Sequence, residues 1–112
     1  MKKTFRLTHT SDFTRVKRDG RSFAHPLLVM YAIPSGEKTT RVGIRAGRWM
    51  GSAVDRNRAK RMLREALRHL HSNIATGNDL LMMTRAPLLT AKLDEIEAAL
   101  ESLLQRAKLY RL

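Results

Sequence analysis

Asn57, Lys60, Arg61, Arg64 and Arg68 fall on one arc if the chain around them is helical, because each residue advances the helix by ~100°. Arg56 lies at the edge of that arc and Arg58 outside it. The chemistry such a set performs is anion binding. Arginine offers a rigid planar fork of donors that matches phosphate, whereas lysine acts as a point charge. The same stretch carries six Lys and Arg against Asp55 and Glu65, while a face that is merely solvated normally mixes its signs. Groups for bond-breaking are not assembled anywhere in the sequence. His69 and His71 stand two apart and point in different directions on a helix, so they cannot form an i, i+4 metal pair. No acids cluster with a histidine in a general acid–base or two-metal arrangement, and there is no glycine-rich phosphate loop. The expectation is a binding protein with no catalytic residue of its own.

The element that must carry these cations is GSAVDRNRAKRMLREALRHL, Gly51 to Leu70. Ser52 is its predicted N-cap, with Asp55 three residues on in a capping-box-like position. Ala59, Met62, Leu63, Ala66, Leu67 and Leu70 follow the i, i+3, i+4, i+7 rule and give one apolar stripe. One side of the helix is therefore predicted to be buried and the other to present a basic ridge to a polyanion.

Net charge is +12, from 22 basic and 10 acidic residues among 112. Residues 1–68 hold 17 Lys and Arg against 5 Asp and Glu, and the remainder is neutral. A single-sign field of this kind points to nucleic acid ahead of an acidic membrane surface. No apolar run approaches the ~18 residues that cross a bilayer, and the apolar stripe lacks the aromatic anchors of an interfacial helix. No apolar stretch follows Met-Lys-Lys, so no signal peptide is expected, and the absence of cysteine suits a reducing cytoplasm.

The length fits one domain, residues 1–112, with residues 1–7 as a basic, loosely held N-terminus. A short helix is predicted over Thr8–Asp19, capped by Thr8 or Thr10 and closed by Gly20 at the C′ position. Phe13 on this helix reads equally well as a core residue or as part of a binding surface. Arg21–His25 is a short strand by weak signals. Leu27–Ile33 is a clear strand with Val29, Tyr31 and Ile33 on one face. Thr39–Ala46 reads as its antiparallel hairpin partner after the turn Pro34–Lys38. Trp49 either covers an edge of the core or stacks on a base. Thr76–Asp79 reads as a turn, and Leu80–Thr84 as a strand apolar enough for the middle of a sheet. A last helix, Ala91–Lys108, has Thr90 as candidate cap. The fold class is α+β: a small two-layer α/β sandwich in the order α-β-β-β-α-β-α.

GSAVDRNRAKRMLREA resembles the RNR signature of the bacterial ribonuclease P protein subunit, a glycine and small residues followed by RNR-x-KR-x-x-RE-A. SDFTRV, GRSF, LLVMY, RVGI and DLLMMTRAP agree with that family in order, so the resemblance spans nearly the whole chain. It implies a left-handed βαβ crossover, against the usual hand. It implies two partners, a catalytic RNA and precursor tRNA, and a role in removing the tRNA 5′ leader, with Mg2+ used by the RNA. The RNA-binding residues it implies are Arg56, Asn57, Arg58, Lys60, Arg61 and Arg64, with Arg68 and Arg48 beside them. A leader cleft would involve Phe13, Lys17, Tyr31 and Arg45. The family often has serine and two lysines where this chain has Gly47, Arg48 and Trp49, and an aromatic where it has Lys17. The competing readings are a general RNA-binding or ribosomal-type protein without a processing role, and a helix-turn-helix DNA reader. The latter is weakened by strands where a companion helix should precede the central one.

Overall fold

The computed structural model describes residues 6–111. Helix α1 (Thr10–Asp19) is followed by β1 (Arg21–Ala24), β2 (Leu28–Pro34) and β3 (Arg41–Arg45). Helix α2 (Ala53–Leu70), β4 (Asn78–Thr84) and α3 (Leu93–Arg106) complete the predicted order. The sheet runs β1-β2-β4-β3. No helix among the described residues is long and apolar enough to cross a membrane.

The hairpin expected between β2 and β3 does not form. β4 lies between them, antiparallel to β2 and parallel to β3. The reason lies in β4 itself. Leu80 and Met82 enter the core under α2 and α3, while Leu81 enters a second cluster under α1. A strand apolar on both faces is stable only where both faces are covered, which is the middle of the sheet. The hairpin is instead β1–β2. The connection from β2 to β3 crosses the start of β4, where Asn78 N–H donates to Thr40 Oγ1 at 3.2 Å and Ser35 N–H to Gly77 O at 2.9 Å. β3 and β4 are then parallel neighbours joined through α2, a βαβ unit.

Several boundaries differ from the sequence reading. His9, with no side-chain cap, occupies the N-cap of α1, and Thr10 is already helical. Gly20 is extended (φ −81°), so it is not there for a left-handed turn. A β carbon at Gly20 would lie 2.5 Å from Val16 O and 2.9 Å from Ala32 O, so glycine lets the chain pass between helix and sheet. Gly77 does take a positive φ, +86°, and turns the chain into β4 two residues earlier than expected, so that Asn78 and Asp79 are strand rather than turn. Lys92 occupies the N-cap of α3; the Glu95 carboxylate accepts its N–H at 2.8 Å, and Thr90 bonds back to Pro87 O instead. The loose N-terminus was expected over residues 1–7. Residues 1–5 lie outside those described, but Arg6 and Leu7 are docked on the β3 edge, with Leu7 N–H donating to Val42 O at 3.0 Å and Leu7 buried.

One buried polar group ties α1 to the sheet. Asp79 is 1% exposed and accepts from Arg15 at 2.6 Å and from Arg41 at 3.0 and 3.1 Å. Burial pushes its carboxyl up, but the hydrogen bonds from Arg41 and Arg15, with their charges, outweigh burial and hold it below the ordinary carboxylate range. A depressed folded-state value contributes stability above the unfolded pKa of ~3.9 and loses it as pH falls through the folded value. The melting temperature is therefore expected to fall as the solution is acidified below that unfolded value. Asp79→Asn should be less stable at neutral pH by up to ~3–5 kcal/mol, since two half-buried arginines lose their partner. It should also be less sensitive to that acid range. Parallel melting curves for the two proteins would expose an error in this assignment.

Candidate RNA interface

Helix α2 begins as expected. Ser52 Oγ accepts from Asp55 N–H at 3.2 Å, and Gly51 before it takes φ +106°. Ala59, Leu63, Ala66, Leu67 and Leu70 are buried and Met62 packs against them. The helix is thereby fixed in rotation, and its polar residues are divided between two shoulders.

On the shoulder facing β3 and the N-terminal segment, Arg56, Asn57 and Lys60 line a hollow of about 220 Å³ with Ala46 and Ala53. A neighbouring hollow of about 220 Å³ is lined by Lys60 and Arg64 from α2, Arg6, Leu7 and Thr8 from the N-terminal segment, Phe13 from α1, and Val42 and Ile44 from β3. Lys60 belongs to both. Three cations thus converge on the second hollow, and no acid lines it. Arg6 Nε is buried with no hydrogen-bond partner among the described residues. Residues 1–5, MKKTF, contain no acidic side chain. Burial, and after it the charge of Arg6, pushes the Arg64 guanidinium below its ordinary value. A buried donor without an acceptor is costly, and like charges held together cost more. An anion with several acceptor oxygens relieves both.

On the opposite shoulder, Arg58 and Arg61 line a groove of about 440 Å³ with Met62, Glu65, Leu93 and Ile96. Arg58 donates to Leu89 O at 2.7 Å. Arg68 is ion-paired with Glu65 at 2.6 Å, so its charge is partly neutralised. The seven polar residues read from the helix are therefore not one site. Arg56, Asn57, Lys60 and Arg64 come together, Arg58 and Arg61 face α3, and Arg68 is paired within the helix.

The sheet face under α1 holds the other candidates. Tyr31, Leu81 and Gly43 stand in register across β2, β4 and β3. The Phe13 ring lies over Gly43, where a β carbon would come within 2.4 Å of Cε1; glycine makes that seat. At ~4.8 Å per strand, Tyr31 and Gly43 end a row of roughly 10 Å. Both rings are half-buried against Leu7, Val16 and Leu81, so Phe13 is a core residue and still lines the cationic hollow. Lys17 is exposed one helical turn beyond Phe13. Arg45 is exposed in the next sheet row, opposite Met83. Arg48 is exposed in a short 3-10 turn after β3. Arg6 was missed by the sequence reading. The signal for it was Leu7, an apolar residue just ahead of a helix, which anchors the cation beside it.

Two of the four histidines have local partners. His69 Nδ1 contacts Glu97, with Glu65 3.7 Å from its other ring nitrogen, and His25 Nδ1 accepts from Leu27 N–H at 3.1 Å. Among the described residues no three His, Asp or Glu converge as metal ligands.

The ribonuclease P family model matches residues 1–108. This chain belongs to the ribonuclease P protein family. A ribonuclease P protein component from Herpetosiphon aurantiacus is 40% identical over 110 residues, covering 98% of this chain and 89% of that one. The solved ribonuclease P protein of Staphylococcus aureus superposes with a TM-score of 0.83 at 30% identity, over 96% of this chain and 98% of that one. That of Thermotoga maritima gives 0.80 at 28% identity, over 90% and 96%. As a ribonuclease P protein, the chain is the RNA-binding subunit of a ribonucleoprotein enzyme in which RNA does the catalysis, and it assists removal of the tRNA 5′ leader. The exposed cations of α2 and its neighbours agree with that role.

Proposed function

We propose that the shoulder formed by Arg6, Arg56, Asn57, Lys60 and Arg64 is where this chain grips the phosphate backbone of the catalytic RNA. Arg48, Arg58, Arg61 and Arg68 extend the contact around the helix. The α1 face, with Phe13, Lys17, Tyr31 and Arg45, receives the 5′ leader of precursor tRNA. The observation that carries this reading is the convergence of Arg6, Lys60 and Arg64 on one hollow, where among the described residues no acid lines the wall and a buried guanidinium nitrogen has no acceptor. Phosphate contacts supply affinity with little sequence information, which suits a protein that must accept many leaders. Phe13 and Tyr31 add sequence-tolerant stacking, worth ~1–3 kcal/mol per base where a base reaches the ring.

The Mg2+ of the reaction belongs to the RNA partner, as membership of the ribonuclease P protein family implies. The place of work is the cytoplasm, as one RNA-binding domain over residues 1–112. The test is reconstitution at low magnesium. Protein with the catalytic RNA and a precursor tRNA is expected to release the leader, and rigorously RNA-free protein is expected to leave the precursor tRNA intact. Leader release by RNA-free protein would overturn the division of labour. Binding without any gain in leader release would favour a general RNA-binding role.

A further inference from the structure

Trp49 is the single tryptophan of the chain, and the surface derived above does not use it. It lies in the 3-10 turn Arg48–Met50 that follows β3. Three restraints hold its ring. The indole Nε1–H donates to Thr84 O at 2.7 Å, at the end of β4. The six-membered ring lies against Gly47, where a β carbon would come within 1.9 Å of Cζ3. The next residue, Met50, is buried in the core under α2. Despite these restraints Trp49 is 49% exposed. Because its N–H is already bonded inside the protein, the surface it offers is the apolar π face.

Three arginines are tied to this ring through the chain or through its anchor, although Arg85 also donates to His25 O at 3.4 Å. Arg48 precedes it. Thr84, which anchors the indole, also donates from Oγ1 to Arg45 O at 3.4 Å, and Arg85 follows Thr84 in the chain. All three arginines have exposed side chains. Thr84 lies three residues beyond Leu81 in β4, about 10 Å along the strand at ~3.3 Å per residue. Trp49 thus stands past the row of Tyr31 and Gly43, at the same end of the sheet as Arg45. A rigid aromatic face loses little conformational freedom on contact, and arginines beside it match the phosphates of the nucleotide it would hold. An apolar protein partner would instead have to bury three arginines.

We propose that Trp49 is a stacking platform for an unpaired base of single-stranded RNA, at the end of the sheet that carries Arg45. This rests on the RNA-binding reading above and adds to it a residue that the RNR signature does not contain. Because the chain has one tryptophan, its emission reports on this position alone. A short, labelled single-stranded RNA oligonucleotide is titrated into the full chain, with label anisotropy and tryptophan emission followed together. Emission is expected to be quenched along the same isotherm as the anisotropy rise. Trp49→Ala should bind the oligonucleotide about tenfold more weakly, and Trp49→Phe, which keeps an aromatic face, within about threefold of the parent. Polyglutamate, an anion without bases, should leave the emission unchanged. An anisotropy rise with unchanged emission, or quenching by polyglutamate equal to that by RNA, overturns the platform and leaves the RNA-binding reading standing. Should Trp49→Ala fail to fold, the emission of the parent still decides. No binding of either the oligonucleotide or the catalytic RNA overturns both.

Discussion

Leu81→Asp is expected to leave no folded protein at neutral pH. Leu81 is fully buried in the central strand, packed with Leu7 and Val16 in the cluster under α1. An aspartate there would carry an unpaired charge into apolar surroundings. Arg15 and Arg41, on the same side of the sheet, are already held by Asp79. An uncompensated buried charge belongs to the small class of substitutions that cost more than ~4 kcal/mol. A domain of this size has roughly 5–15 kcal/mol in all, and the second cluster is small. Leu81→Met, which keeps the volume and adds no charge, should cost less than ~1.5 kcal/mol. Circular dichroism melts of the two variants measure the contrast. A Leu81→Asp protein that melts with the parent would mean that α1 does not cover the sheet as described.

The second large effect is on RNA affinity. Arg64→Ala is expected to weaken binding to the catalytic RNA by on the order of ten- to a hundredfold, the worth of one hydrogen-bonded charge contact. It should also lower the slope of log affinity against log salt by about 0.9. Stability should move little. Arg64 has no ion-pair partner among the described residues, and its guanidinium is disfavoured by burial and by Arg6. Removing it relieves repulsion, so the melting temperature is expected to stay level or rise, within about 0.5 kcal/mol. Arg68→Ala provides the internal comparison. Its charge is already paired with Glu65, so its effect on affinity and on the salt slope should be smaller. Loss of stability in Arg64→Ala with RNA affinity unchanged would make Arg64 a structural residue. Equal effects of Arg64→Ala and Arg68→Ala would mean that the RNA sees a diffuse field rather than the hollow.

Much of this architecture is legible in the sequence, and the legible parts share a cause. Helix α2 was readable because its stripe repeats at the helical period and Ser52 caps it with its own side chain. The central place of β4 was readable because LLMM is apolar at every position. The cationic character of the surface was readable because charge adds along the chain whatever the fold. These are local properties, decided by neighbours within a few residues or by composition.

Pairing, partnership and convergence were decided elsewhere. β2 and β3 look like a hairpin because they are adjacent in sequence with a turn between them, and the strand that separates them comes more than thirty residues later. Asp79 reads as a turn residue next to Gly77 and Asn78. Its role as a clamp exists only because α1 and β3 bring Arg15 and Arg41 to it from 64 and 38 residues away. Gly20, Gly43 and Gly47 each make room for a backbone or a ring that sequence spacing does not reveal. The sequence by itself leads to the expectation that one helix presents a basic ridge suited to a polyanion. The tertiary structure alone decided which cations lie together. The rotation of α2 against the sheet sends Lys60 and Arg64 toward Arg6 and Phe13, turns Arg58 and Arg61 toward α3, and leaves Arg68 with Glu65. A helical wheel shows direction but not distance to what lies outside the helix, and electrostatic coupling depends on that distance.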